Sequence, residues 1–106
     1  MTKQLIRTCL LVSASLLAAV PLVAWAHYPV MDCSREGEEI VCQVGFSDGT
    51  LAQGQAVVVY SYEDKELAKT VADGSSVARF PWQEGEFYIQ FDAGHEDPAE
   101  FDYVEF

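Results

Sequence analysis

The chain has 106 residues, of which 17 are acidic and only six are Lys or Arg, so its formal net charge is −11. We do not expect so acidic a chain to bind nucleic acid or anionic membrane surfaces, because phosphate groups bind to basic surfaces. Its length is that of a single small domain.

The start of the chain has the pattern of a secretory signal peptide. A basic start precedes an apolar run from Cys9 to Val20, and Ala24 and Ala26 form an A-x-A cleavage signal. A retained membrane anchor is the alternative, but the run is broken by serines and is short of the roughly 20 residues that a span needs. We expect export to the periplasm, removal of residues 1–26, and a mature chain that begins at His27 and is not inserted in the membrane.

The predicted mature chain, residues 27–106, is a single domain that is more acidic than the precursor. It keeps four basic and all 17 acidic side chains, a net charge of −13. Its remaining cysteines, Cys33 and Cys42, form an even pair in an oxidising compartment and therefore predict one disulfide. Closing so short a loop stabilises a domain by roughly 2–3 kcal/mol in the chain-entropy model.

The first two predicted strands form a hairpin over residues 28–35 and 39–46. A two-residue turn at Gly37-Glu38, with glycine first, is typical of a type II′ turn. The resulting register places the two cysteines opposite each other, which supports the disulfide independently. One face of this hairpin is apolar, and we expect it to be buried. Its residues are Met31, Cys33, Ile40, Cys42, Val44 and Phe46.

The rest of the chain contains five more candidate strands, namely residues 56–62, 66–71, 77–80, 86–92 and 101–106. The first is rich in β-branched and aromatic residues, which is typical of a central strand. The composition of the second leaves a strand or a helical turn open. The alternation in the fourth points Phe87, Ile89 and Phe91 inward. About seven short strands without a long helix predict an antiparallel β-sandwich of immunoglobulin-like or transthyretin-like type.

The order of the strands predicts where the histidines lie. If seven strands alternate in direction, the start of the first and the ends of the second, fourth and sixth lie at one end of the sandwich. Those positions hold His27, Asp48, Asp73 and His95. We therefore expect both histidines at the same end. Loss of residues 66–71 as a strand would send His95 to the other end.

These residue types are common ligands of transition-metal ions. Imidazole nitrogen binds Ni, Co, Cu and Zn ions well, and carboxylates neutralise their charge. After cleavage, His27 offers its α-amine and its ring nitrogen as a chelate, and His95 offers a second imidazole. Asp48, Glu96 and Asp97 are candidate oxygen ligands. The alternative is that the two histidines are only a terminal residue and a polar loop residue.

Two segments also resemble a known family. Residues 46–60, FSDGTLAQGQAVVVY, resemble the F-x-D-G-x-P-A-x-G-A-x-V-x-V-Y opening of periplasmic transthyretin-like domains, with Leu51 where proline is usual. Residues 87–95, FYIQFDAGH, continue that pattern, which carboxypeptidase regulatory-like domains partly share. The resemblance implies an accessory component of nickel or cobalt uptake, which captures the ion for a membrane metal transporter.

Other functions are weighed against this one. We do not expect an enzyme, because the sequence has no G-x-S-x-G or H-E-x-x-H motif and no free thiol once the disulfide has formed. Copper rivals nickel, since the divalent affinity order favours it. The other class is a non-catalytic structural or protein-interaction module, with an acidic C-terminal stretch and an aromatic surface. That surface would consist of Trp82, Tyr88, Tyr103 and Phe106, unless these aromatic residues only cap the core.

Overall fold

The computed structural model describes residues 27–106, so the predicted signal peptide lies outside the described residues. Within this range the chain forms seven strands followed by one turn of 3₁₀ helix. The elements are β1 (Pro29–Glu36), β2 (Glu39–Phe46), β3 (Ala56–Ser61), β4 (Glu66–Val71), β5 (Val77–Pro81), β6 (Phe87–Phe91), β7 (Ala99–Asp102) and the 3₁₀ turn η1 (Tyr103–Glu105). None of the residues described belongs to a helix with the length and apolar character needed to cross a membrane.

The strands form two antiparallel sheets, with the orders β1-β2-β5 and β4-β3-β6-β7. This confirms the predicted all-β sandwich. The order differs from the immunoglobulin constant type in one strand, because β4 pairs with β3 and not with β5. Residues 66–71 are therefore a strand and not a helical turn, and strand direction alternates from β1 to β7.

The β1–β2 hairpin has the predicted register. Cys33 pairs with Cys42 across the ladder, and the two form a disulfide. Gly37 has a φ of 63°, while Glu38 keeps a negative φ, which is the pattern of a type II′ turn. Both cysteines are buried, so the disulfide ties the two strands together inside the core.

The core lies between the two sheets and contains side chains from both. The predicted inward residues of β6 (Phe87, Ile89 and Phe91) are fully buried, and Val57 and Val59 of β3 lie beside them. The three-stranded sheet contributes Ile40, Cys42, Val44, Ala78 and Phe80. Two residues of the predicted buried face, Met31 and Phe46, are only partly buried against this core. The exposed part of the Phe46 ring lies at the end of the sandwich that holds both histidines.

The last predicted strand, residues 101–106, is wrong in its second half. Strand β7 ends at Asp102, and the chain then turns into η1. The reason is a capping box: the Asp102 carboxylate accepts a hydrogen bond from the Val104 backbone N–H at 3.2 Å, and the Glu105 carboxylate accepts one from the Asp102 N–H at 2.7 Å. The turn brings the Phe106 ring back against Phe101, with ring centroids 4.9 Å apart.

Candidate metal centre at the histidine end

We call one end of the sandwich the histidine end. It consists of residues 27–28, the β2–β3 loop (47–55), the β4–β5 loop (72–76) and the β6–β7 loop (92–98). Since all strands are antiparallel, these four segments lie at the same end. They contain both histidines and no Lys or Arg. Their carboxylates are Asp48, Asp73, Asp92, Glu96 and Asp97. The electrostatic field at this end therefore attracts cations.

The β1–β2 ladder positions His27. Beyond the last strand pair, the Tyr28 N–H donates to Ser47 Oγ at 3.0 Å, and the Ser47 N–H donates to the Tyr28 carbonyl at 2.9 Å. The next residues in this register are His27 and Asp48. The His27 Nδ1 lies 3.8 Å from Asp48 Oδ2, and both side chains are about half exposed. An imidazole nitrogen and a carboxylate oxygen on the same metal ion are separated by up to about 4.2 Å, so this pair is within reach of a shared ion.

The Asp48 carboxylate is held in a defined orientation by the turn that follows it. Its Oδ1 accepts hydrogen bonds from the backbone N–H of Thr50, at 3.0 Å, and from the Thr50 hydroxyl. These hydrogen bonds, with a smaller contribution from nearby His27, hold the pKa of Asp48 below its ordinary value. The carboxylate is therefore charged at neutral pH, with Oδ1 occupied by Thr50 and Oδ2 directed to His27.

His95 reaches the same place from the β6–β7 loop. Asp92 starts the loop with an Asx turn, in which its Oδ1 accepts a hydrogen bond from the Gly94 N–H at 2.8 Å. Gly94 and Glu96 both have a left-handed backbone, with φ of 87° and 59°. The chain thereby returns over the end of β2, where the His95 ring stacks on the Phe46 ring with an interplanar angle of 17°.

The two imidazole rings and the Phe46 ring form a three-ring cluster. The ring centroids of His27 and His95 are 6.2 Å apart, and each lies 6.2 Å from the centroid of Phe46. Two imidazoles that bind one ion through bonds of about 2.0–2.1 Å have centroids roughly 4.5–6.4 Å apart. The 6.2 Å separation of the two histidines lies within this range, near the limit for two ligands on opposite sides of one ion.

The other predicted ligands are less well placed. Glu96 and Asp97 are exposed residues of the same loop, and neither carboxylate forms an ion pair with His27 or His95. Asp73 was predicted only to lie at this end. Its Oδ1 already accepts hydrogen bonds from the backbone N–H groups of Ser75 and Val77. Within residues 27–106, no three His, Cys, Asp or Glu side chains form a group arranged to hold a metal ion. A further nitrogen ligand would be the α-amine of His27, which exists only after cleavage at this residue.

The position of Phe46 beside the two histidines was not predicted from the sequence. The alternation in β2 assigned Phe46 to the buried face, and it is in fact half buried, with its ring exposed to both histidines. Its position gave the one available indication. It is the last residue of β2, so an inward side chain there lies beside the loops that leave the sandwich.

The opposite end of the sandwich, which we call the aromatic end, packs its aromatic residues on one another. The Trp82 ring lies against Phe87 and Phe106, with centroid distances of 5.5 and 5.2 Å, and Tyr103 lies 5.8 Å from Phe87. The Arg35 guanidinium covers Trp82 at 4.0 Å. These aromatic residues extend the core. Three of the four residues predicted as a partner surface therefore contact one another or the core.

The fourth, Tyr88, lies on the outer face of the four-stranded sheet, in a shallow groove of about 490 Å³. The groove is lined by Tyr62, Tyr88, Glu100, Asp102 and Glu105. The Tyr62 hydroxyl donates to Asp102 at 2.6 Å, and the Tyr88 hydroxyl donates to Asp64 at 2.7 Å. These hydrogen bonds raise the pKa of both phenols to about 12, so both hydroxyls stay protonated at neutral pH.

No protein-family model, curated protein or solved structure matches this chain. The resemblance to periplasmic transthyretin-like domains therefore remains a prediction from motifs.

Proposed function

We propose that the protein binds a transition-metal ion, nickel or cobalt, in the periplasm and delivers it to a membrane metal transporter. The observation that supports this most strongly is the 6.2 Å separation of the two imidazole rings, which are the only two in the chain. They come from opposite ends of the mature sequence. They lie beside a charged carboxylate, in segments that contain no Lys or Arg, and such surroundings favour a cation.

The ligands in this proposal are nitrogens of His27 and His95 and an oxygen of Asp48. Cleavage before His27 adds its α-amine, which together with the ring nitrogen of the same residue forms a chelate. A nitrogen-rich site with one carboxylate suits Ni²⁺, Co²⁺ and Cu²⁺ better than Mg²⁺ or Ca²⁺. The proposal of nickel or cobalt rests on the motif resemblance.

Copper binding is the nearest alternative in the same chemical class. The divalent affinity order predicts that Cu²⁺ binds this site more tightly than Ni²⁺, and Ni²⁺ more tightly than Co²⁺. The order of affinities alone does not identify the ion that the protein carries. Metal analysis of protein purified from the periplasm under metal-replete conditions distinguishes a nickel or cobalt protein from a copper protein.

The test of metal binding is calorimetric titration of residues 27–106, with His27 as the first residue, by Ni²⁺. We expect one ion per chain. His27→Ala, His95→Ala and one extra residue before His27 should each weaken binding more than about tenfold, which is 1.4 kcal/mol of binding free energy. The affinity should also fall on acidification, because an α-amine with an ordinary pKa of about 7.7–8.0 must lose its proton to bind.

The matched control for the carboxylate is a pair of variants with the same change of charge. Asp48→Asn removes the carboxylate beside His27, whereas Asp32→Asn removes an exposed one in the middle of β1. The first should weaken Ni²⁺ binding and the second should leave it close to wild type. Unchanged affinity in both histidine variants would refute the proposal.

The second candidate function is a non-catalytic protein-interaction module. The observation that favours it is the groove on the four-stranded sheet, where tyrosine rings and carboxylates lie together. A groove of this composition suits a basic partner, because carboxylates attract Lys and Arg and aromatic faces stack on guanidinium groups. If wild-type protein binds no metal, but Glu100→Gln and Asp102→Asn weaken capture of a basic partner, this function replaces the first.

A further inference from the structure

We propose that Phe46 is a positioning residue for the metal site, one that holds the two imidazole rings in their relative orientation before an ion arrives. This inference rests on the proposed function. Phe46 contacts both rings in different ways: His95 stacks on its face at 17°, and His27 meets it edge to face at 84°. Phe46 is thus the one aromatic side chain that touches both histidines among the residues described.

The Phe46 ring is itself fixed by the core. It packs on Phe91, with ring centroids 5.7 Å apart, and Phe91 is fully buried. The backbone is held as well, since the Phe46 N–H donates to the Thr50 carbonyl at 3.0 Å and the Gly49 N–H donates to the Phe46 carbonyl at 2.9 Å. The Phe46 ring is therefore held in place by the core, and it offers His27 and His95 a fixed surface to pack on.

Such a support is needed because neither histidine lies within a strand. His27 precedes β1 and His95 belongs to a seven-residue loop, so each imidazole would otherwise sample several rotamers. Binding an ion to mobile ligands includes the entropic cost of ordering them, and a site with preoriented ligands avoids much of that cost. Groups that orient metal ligands typically change metal affinity by about 10–100-fold when they are removed.

The experiment compares Phe46→Leu with Phe46→Tyr in residues 27–106. Leucine keeps an apolar side chain on Phe91 but removes the flat ring, whereas tyrosine keeps the ring. We expect Phe46→Leu to bind Ni²⁺ about tenfold more weakly, still with one ion per chain, and Phe46→Tyr to stay close to wild type. The ligand-field absorption spectrum of the Cu²⁺ complex should shift in the leucine variant only, because its imidazoles take different orientations.

Tyr103→Leu is the control for a loss of stability alone. It removes a partly buried ring that packs on Phe87 at the aromatic end, far from the histidines. The control should lower the unfolding temperature and leave Ni²⁺ affinity and the Cu²⁺ spectrum unchanged. Equal weakening of binding by Phe46→Leu and Tyr103→Leu, or no weakening by Phe46→Leu, would overturn the positioning role while wild-type binding upholds the metal site. Absence of binding in the wild type would refute both proposals.

Discussion

The two ends of this sandwich use aromatic residues in opposite ways. At the aromatic end, Trp82, Phe87, Tyr103 and Phe106 pack on one another and enlarge the core. At the histidine end, the ring of Phe46 lies at the edge of the core and contacts the exposed imidazoles of His27 and His95. At one end the rings pack on one another, whereas at the other a single ring packs on two imidazoles.

The connecting segments at the two ends also differ in charge, because the four at the histidine end contain no Lys or Arg. Arg35 lies on Trp82 at the aromatic end, Arg79 is within 4.0 Å of Glu36 and Glu39 on the neighbouring strands, and Lys65 follows the β3–β4 turn. The loops at the histidine end carry carboxylates only. The proposed metal site is therefore separated from the aromatic end along the long direction of the strands, and we expect substitutions at one end to leave the other unaffected.

Phe87→Ala should have the largest effect on stability. It removes the buried ring against which the other aromatic residues of the aromatic end pack. A large cavity of this kind lowers the free energy of unfolding by about 3–5 kcal/mol. Urea denaturation should measure this loss. The fraction that remains folded should bind Ni²⁺ with wild-type affinity, because the ring lies at the other end from the histidines. A parallel fall in metal affinity would show that the two ends are not independent.

A smaller effect is expected at alkaline pH. The hydrogen bonds to Asp102 and Asp64 raise the pKa of Tyr62 and Tyr88 from 10 to about 12. A pKa that is higher in the folded protein stabilises it fully below pH 10, and this stabilisation is lost as the pH rises from 10 towards 12. Tyrosinate ultraviolet absorbance should show two late-titrating phenols. Asp64→Asn should return Tyr88 alone towards its ordinary pKa.

The pH dependence thus sharpens the contrast between the ends. The tyrosine–carboxylate hydrogen bonds respond to alkali, whereas the proposed metal site responds to acid, since protons compete with the ion for its nitrogens. If Asp64→Asn leaves both late-titrating phenols in place, the hydrogen bond between Tyr88 and Asp64 does not set that pKa.

Much of the fold was predictable because it depends on local patterns. In the β1–β2 hairpin, the turn at Gly37-Glu38 sets a register, and the pairing of Cys33 with Cys42 requires the same register. Two separate features of the sequence therefore agreed. The prediction of a strand over residues 101–106 was wrong because it used only the alternation of apolar and polar residues. The capping box Asp102-x-x-Glu105 was also visible in the sequence, and it ends the strand because its side chains satisfy the backbone groups of a turn.

For the candidate site, the sequence predicted only the end of the sandwich at which its residues lie. Strand direction brings His27, Asp48 and His95 to that end, and no further geometry is required for this step. The distances depend on the β6–β7 loop, where Gly94 and Glu96 both adopt left-handed backbone. Hydrophobic periodicity contains no information on such a loop, so the stacking of His95 on Phe46 did not follow from the sequence.

Nuclear magnetic resonance of ¹⁵N-labelled residues 27–106 tests the proposed metal site most directly. Substoichiometric Cu²⁺ is added, and its unpaired electron broadens the signals of nearby residues. We expect broadening confined to residues 27–28, 46–50 and 92–97. Signals of Trp82 and of residues 103–106 at the aromatic end should stay sharp. Broadening centred on the acidic groove, or spread evenly over the protein, would contradict a metal site built on the two histidines.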